Sequence, residues 1–279
     1  MISQKPGDMR IGISTYTYTW AFGVPGHEPS KPMTVFNLID KAVQFNLNCV
    51  QIADNCPLEK LSEKKLEELI TYSGKRKVEI EVGTRGLKKE NIFTYLHIAQ
   101  QLHSEILRVV IDTKDYEPPV DQIIQEIKKI LPELKRLNIK LAIENHDRLK
   151  SKEFEQIVVK TDPEWVGICL DSVNSMGAGE GFETVSDILI PFTINLHVKD
   201  FTIIRVSHKM GLLIEGRPAG KGMLNIPQLL RKLSEKGGCQ SAIIELWTPP
   251  ELTLEETIIK EEKWASESIV YLKSFINKA

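Results

Sequence analysis

Four residues in the second half of the 279-residue chain are of the types that hold a divalent cation: Glu144 in IENH, Asp171 in CLDSVN, His197 in NLHVKD and Glu245 in IIELW. Each closes, or sits within, a short run of Ile, Val and Leu, so each is expected at the end of a buried strand. Three carboxylates and one imidazole gathered at one point repel one another, and a divalent cation between them relieves that cost. An oxygen-rich set with a single nitrogen suits Mn²⁺ or Mg²⁺, and Co²⁺ and Zn²⁺ also fit. A lone acid after a strand is more often a helix cap, and a lone His in an apolar strand is more often a core residue. The weight lies in four such residues on four successive strands.

The elements that must position them are readable along the chain. Strand-like runs fall at 10–15, 48–53, 78–83, 106–111, 139–144, 166–171, 193–198 and 241–246. Most lack strict alternation of apolar and polar residues, as parallel strands buried on both faces do. Amphipathic patterns lie between and after them, at 34–46, 62–75, 89–103, 120–137, 151–160, 182–190, 226–235 and 253–276. Ser62 and Thr253, the latter with Glu256 behind it, stand where N-caps are expected. Eight strand–helix pairs in order predict an α/β fold, a single (β/α)8 TIM barrel. No linker or shift in composition divides the chain, so residues 1–279 are read as one domain, with 1–9 as an N-terminal tail. In such a barrel the chemistry sits at the C-terminal ends of the strands, where the four candidate ligands fall.

Composition narrows the partners. The chain is 42% hydrophobic and 27% charged, with 36 Lys and Arg against 38 Asp and Glu for a formal charge of −2. That balance carries no basic footprint for nucleic acid. The first ten residues are polar, and no apolar run approaches the ~20 residues of a membrane span. Cys49, Cys56, Cys169 and Cys239 are scattered without a CxxC pair. A reduced, cytoplasmic protein with a small-molecule partner, no nucleic acid and no membrane is expected, and homo-oligomerisation is compatible with the sequence.

The ordered set GIST, IENH, LDSVN, LHVKD and IIELW, together with EGRPAGKGMLNIPQLL at 215–230, resembles the xylose-isomerase-like barrels, in particular their sugar (phosphate) isomerase/epimerase group. The resemblance spans nearly the whole chain. It implies that Glu144, Asp171, His197 and Glu245 bind one divalent metal and that Glu144 and Glu245 act as the catalytic acid/base pair. It further implies a keto-sugar or related polyol ketone as substrate, isomerised or epimerised by proton abstraction through a metal-stabilised enediolate. His146, Asn174, Lys199, Arg217 and Trp247 are the candidate substrate-binding residues. Asp200 is a candidate partner for the His197 imidazole, and Trp20 is expected in the loop layer.

The chain departs from the keto-hexose epimerases of that group at three places. Asn174 stands where they carry His, Ile203 (with Arg205 two residues on) where they carry Arg, and Lys150 where they carry a second substrate-binding Glu. Two alternatives therefore stay open: a dehydratase of a keto-inositol or dehydroshikimate-like substrate on the same metal site, and a non-catalytic sugar-binding barrel. A three-zinc nuclease is disfavoured, because His97 and His103 fall in a predicted helix and Asn174 replaces a needed His.

Overall fold

All eight strand segments read from the sequence form strands, and they close on one another. The computed structural model describes residues 9–276, so residues 1–8 of the expected tail lie outside the described residues. The first seven strands are β1 (Arg10–Ser14), β2 (Cys49–Ile52), β3 (Glu79–Arg85), β4 (Ile106–Val110), β5 (Lys140–Glu144), β6 (Val166–Asp171) and β7 (Thr193–Val198). A hairpin follows, β8 (Asp200–Arg205) and β9 (Leu212–Arg217), and then β10 (Ser241–Ile244). Strands β1 to β7 and β10 are parallel and form the closed barrel, with β10 pairing β7 on one side and β1 on the other.

The helices follow the amphipathic patterns closely. They are α1 (Thr19–Phe22), α2 (Val35–Gln44), α3 (Glu63–Arg76), α4 (Lys89–Gln101), α5 (Val120–Leu137), α6 (Ser151–Lys160), α7 (Phe182–Leu189), α8 (Ile226–Lys236) and α9 (Leu254–Ile276). Thr34, Ser62 and Asn225 cap α2, α3 and α8 by accepting a backbone N–H in the first turn. Each amphipathic helix lays an apolar stripe on the outside of the barrel, as α5 does with Ile123, Ile127, Ile130 and Leu134. The main core therefore lies between helices and sheet.

The inside of the barrel is different. A (β/α)8 interior is usually filled by layers of branched aliphatic side chains. Here Gln51 on β2 reaches Asn195 and His197 on β7, and Glu81 on β3 reaches Ser241 on β10. None of these strand pairs is adjacent, so the contacts cross the barrel interior. A polar column runs through it, ending at the strand C-termini where the candidate ligands stand.

The hairpin occupies a stretch where the sequence pattern marks neither strand nor helix. Its strands pair from Asp200↔Arg217 to Arg205↔Leu212. It is fixed at its base in two ways. Gly216 lies against the backbone of Trp247 with no room for a Cβ, and the Asp200 carboxylate accepts N–H groups from Phe201, Gly220, Gly222 and Leu224. This corrects the expectation that Asp200 orients the His197 imidazole; its oxygens are spent on the loop that returns from the hairpin.

Helix α9 packs across the β1 loop and sets up a measurable pH effect. Glu261, 1% exposed, accepts the N–H groups of Trp20 and Ala21 at 3.0 Å each and so anchors α1. Burial pushes its carboxyl up from an ordinary 4.5 to about 8. Between those values the folded chain keeps a proton that the unfolded chain has lost, so this contribution to stability falls as pH rises towards 8. Urea unfolding of wild type across that window should show the decline, and Glu261→Gln should flatten it. An unchanged slope in the variant would show that another group is responsible.

Candidate active site

The parallel register brings the four candidate ligands together. Asp171 on β6 and His197 on β7 are register partners, and Glu144 ends β5 one strand away. Glu245 follows β10, with its N–H bonded to the Val198 carbonyl. All four are at most 1% exposed. His197 Nδ1 is 3.3 Å from Glu144 Oε2, 3.5 Å from Glu245 Oε2 and 3.9 Å from Asp171 Oδ2.

The other faces of these side chains are tied down. Asp171 Oδ1 accepts the backbone N–H of Val173 and Asn174, at 2.8 and 2.9 Å. Ser14 Oγ donates to Glu245 Oε1 at 3.0 Å. Asn174 Nδ2 donates to Glu144 Oε1 at 2.8 Å. His197 Nε2 meets the Gln51 carbonyl oxygen at 2.7 Å, which calls for a ring proton on Nε2, so that in the neutral ring the Nδ1 lone pair faces the carboxylates.

His197 Nδ1 is buried without a well-directed hydrogen bond. Asp171 Oδ2 and Glu245 Oε2, whose other neighbour is Lys199 Nζ, face it within a cluster whose candidate ligand atoms lie within 4.8 Å of one another. Buried polar atoms rarely stay unpaired. Converging oxygen and nitrogen lone pairs, with Glu144 alongside, fit a divalent cation. Cys169 lies near Glu144 and His197, but its thiol donates to Asn195 Oδ1. Burial, reinforced by the Glu144 charge, pushes that thiol well above its usual range, so the carboxylate–imidazole set is the one suited to the ion.

Cations unforeseen in the sequence reading complete the site. Arg108, in the middle of β4 and 2% exposed, bonds Glu144 Oε2 through Nε and Asp54 Oδ1 through Nη1 at 2.9 Å. Arg85, at the end of β3, bonds the other Asp54 oxygen through Nε at 2.9 Å. Burial opposes the charge on Arg108, but Glu144 and Asp54 overrule it and hold the guanidinium firmly protonated. Burial likewise opposes ionisation of Glu144, yet Arg108 and His197 hold its carboxyl well below the usual range. A charged residue inside ILRVVI was the available signal for Arg108; Gln51 and Ser14 gave none beyond their place in a strand.

The expected substrate-binding residues divide. A cavity of about 650 Å³ opens above the candidate ligands, lined by Glu144, Glu245, Arg85, Arg108, His146, Asn174, Lys199, Trp20, Trp247 and the hairpin residues Leu213 to Gly216. Lys199 stands deeper than expected: its Nζ is 2.8 Å from Asp171 Oδ2 and 2.9 Å from Glu245 Oε2. Ser172 Oγ holds its backbone by donating to the Lys199 carbonyl and accepting from its N–H. Trp247 lies over that lysine, Nζ 5.8 Å from the ring centroid, and Trp20 bonds the Thr248 carbonyl in the loop layer. Arg217 is not brought to the cavity; it bonds the Gly216 carbonyl and Glu215 of its own hairpin.

Fold and site together define a closed (β/α)8 barrel with a buried carboxylate–imidazole cluster at its C-terminal rim. Residues 39–275 match the xylose isomerase-like TIM barrel family, and the chain belongs to it. Over 264 residues, 95% of each chain, it is 28% identical to the 3-oxo-isoapionate decarboxylase of Pectobacterium atrosepticum. Among solved structures it resembles the D-psicose 3-epimerase of Clostridium cellulolyticum H10, crystallised with D-tagatose, at TM-score 0.68 and 14% identity, covering 95% of this chain and 97% of that one. It also resembles a xylose isomerase-like TIM barrel protein of Mycobacterium smegmatis in complex with magnesium, at TM-score 0.67 and 13% identity, covering 96% and 99%. Among the described residues no helix is long and apolar enough to cross a membrane, and the four cysteines are free.

Two substitutions test the site. His197→Ala should leave a folded barrel that takes up much less Mn²⁺ than wild type when both are dialysed and analysed for metal; equal uptake would remove the imidazole from the ligand set. Arg108→Met leaves the buried Glu144 without its cation while Asp54 keeps Arg85, and breaking such a buried pair costs about 3–5 kcal/mol. Urea denaturation of metal-free protein measures it, and a loss below about 1 kcal/mol would mean that water or another cation takes over the role.

Proposed function

We propose that this protein is a divalent-metal-dependent lyase that removes the carboxylate of a 3-oxo sugar acid, with Mn²⁺ or Mg²⁺ held by Glu144, Asp171, His197 and Glu245. The observation that carries the reading is the charge of the connected cluster. Four carboxylates (Asp54, Glu144, Asp171, Glu245) are linked to three cations (Arg85, Arg108, Lys199), an excess of one negative charge. A divalent ion turns that excess into one positive charge, which suits a monoanion better than a neutral sugar. The full-length relative that acts on a 3-oxo acid supports the same choice.

The chain's residues divide the work as follows. Arg85 uses only Nε on Asp54, and its terminal nitrogens have no hydrogen-bond partner among the described residues, so they are available to a substrate carboxylate. Trp247 and Trp20 line the cavity and are placed to contact the carbon skeleton. When the C–C bond to the carboxylate breaks, its electron pair moves toward the neighbouring ketone oxygen and CO₂ leaves. A bound divalent ion supplies the positive charge that makes this electron flow favourable. Lys199, lining the cavity beside Asp171 and Glu245, holds a proton at Nζ that the product carbon can take up. No base has to remove a proton, which agrees with Glu144 having a donor on each oxygen.

Isomerisation or epimerisation of a keto-sugar is the second reading. It keeps the same candidate ligands and is favoured by two glutamates, Glu144 and Glu245, whose Oε2 atoms lie 3.3 and 3.5 Å from His197 Nδ1. Both reactions place charge on carbon beside a ketone, and one experiment separates them. Metal-loaded protein in D₂O should release CO₂ from a 3-oxo sugar acid and leave one deuterium on the product carbon. Failure to release CO₂ from any such acid, with deuterium entering a neutral ketose instead, would move the assignment to the isomerase/epimerase reading. Loss of water from a keto-inositol would move it to the dehydratase.

A further inference from the structure

Below His197, inside the barrel, each hydrogen bond has a forced direction. Glu81, 3% exposed on β3, is surrounded by donors. Ser241 Oγ and Arg10 Nη2, the latter at 3.5 Å, donate to Oε1. Gln51 Nε2 and Asn195 Nδ2 donate to Oε2, each at 3.1 Å. A guanidinium can only donate and a carboxylate only accept, so this end of the network has one polarity. Gln51 must then turn its NH₂ to Glu81 and to Asn195 Oδ1, 3.2 Å away. Its carbonyl oxygen is left facing His197 Nε2. Asn195 is fixed in the same sense, its Nδ2 donating to Ser241 Oγ at 2.7 Å and its Oδ1 accepting from the Cys169 thiol. A reversed Gln51 would set its oxygen against two acceptors and its NH₂ against the ring.

We infer that Glu81 is a positioning residue for the metal centre: by fixing the orientation of the Gln51 amide it selects the Nε2–H tautomer of His197 and so keeps the Nδ1 lone pair on the ligand side. Partners of this kind typically contribute 10–100-fold to metal affinity, usually through one contact; here the carboxylate acts through an intervening amide, and Arg10 joins it from the N-terminal end of β1. The inference rests on His197 being a metal ligand, a point that wild-type Mn²⁺ binding checks separately.

The test uses full-length, metal-free protein. Glu81→Gln keeps the shape but offers a group that can donate as well as accept, which frees Gln51 to turn. ¹⁵N NMR of the imidazole at alkaline pH should show the single Nε2–H tautomer in wild type and a mixture in the variant. Mn²⁺ titration calorimetry should show a loss of affinity of about 10–100-fold. Combining Gln51→Glu with Glu81→Gln returns a pure acceptor to His197 Nε2 at unchanged total charge, and should restore the single tautomer and most of the affinity. A purely structural role for Glu81 predicts a lower melting temperature with tautomer and Mn²⁺ affinity unmoved, and that result would overturn the inference. Should Glu81→Gln not fold, wild type still decides: a ring carrying its proton on Nδ1 would refute the inference outright. If wild type shows the Nε2–H tautomer but binds no Mn²⁺, the metal reading fails while the Glu81 relay stands.

Discussion

Burying negative charge at one point is the constraint on which this structure turns. Glu144, Asp171 and Glu245 converge in the barrel mouth with almost no exposure to water, where the cost of an uncompensated charge is several kcal/mol. The surrounding architecture answers that cost locally. Arg108 spans Glu144 and Asp54, Lys199 spans Asp171 and Glu245, and backbone N–H groups take up the spare oxygen of Asp171. What stays without a partner is the Nδ1 of His197, which the three carboxylates face at 3.3 to 3.9 Å.

The same constraint explains why the interior is polar. An imidazole poised with one nitrogen as a lone pair needs its other nitrogen bonded, and the bonding group needs partners of its own. That requirement propagates down the barrel from Gln51 through Glu81 and Asn195 to Ser241 and Arg10. Aliphatic layers would pack as densely but would leave the ring free to choose its tautomer. The apolar packing that stabilises the chain has accordingly moved outside the sheet, between strands and helices.

Strands, helices and the convergence of the four candidate ligands are readable in the sequence because each is marked by local pattern: a run of Ile and Val ending in a polar residue, or apolar residues at helical spacing. What escaped was set by contacts between distant segments. Arg108 meets Glu144 from 36 residues away and Gln51 meets His197 from 146 away, and a strand residue carries no mark of which partner it will find across a barrel. Lys199 was seen as a substrate contact because its position follows His197, while its insertion between two carboxylates depends on the Ser172 clamp. Arg217 departs from its expected place for a related reason: as a residue of β9 it pairs within its own hairpin.

The hairpin leaves the barrel at Asp200 and returns at Arg217, and these two residues are cross-strand partners. Whatever lies between them therefore enters and leaves at a single point in space. Residues can be added to or removed from its tip in pairs without altering the register of β7 against β10 or the position of any candidate ligand. Since Leu213 to Gly216 form one wall of the cavity, the contour presented to a substrate and the apparatus that would hold the metal are encoded in separable stretches of chain. Selection can reshape the first while the second stays fixed, and the barrel has in effect an exchangeable part.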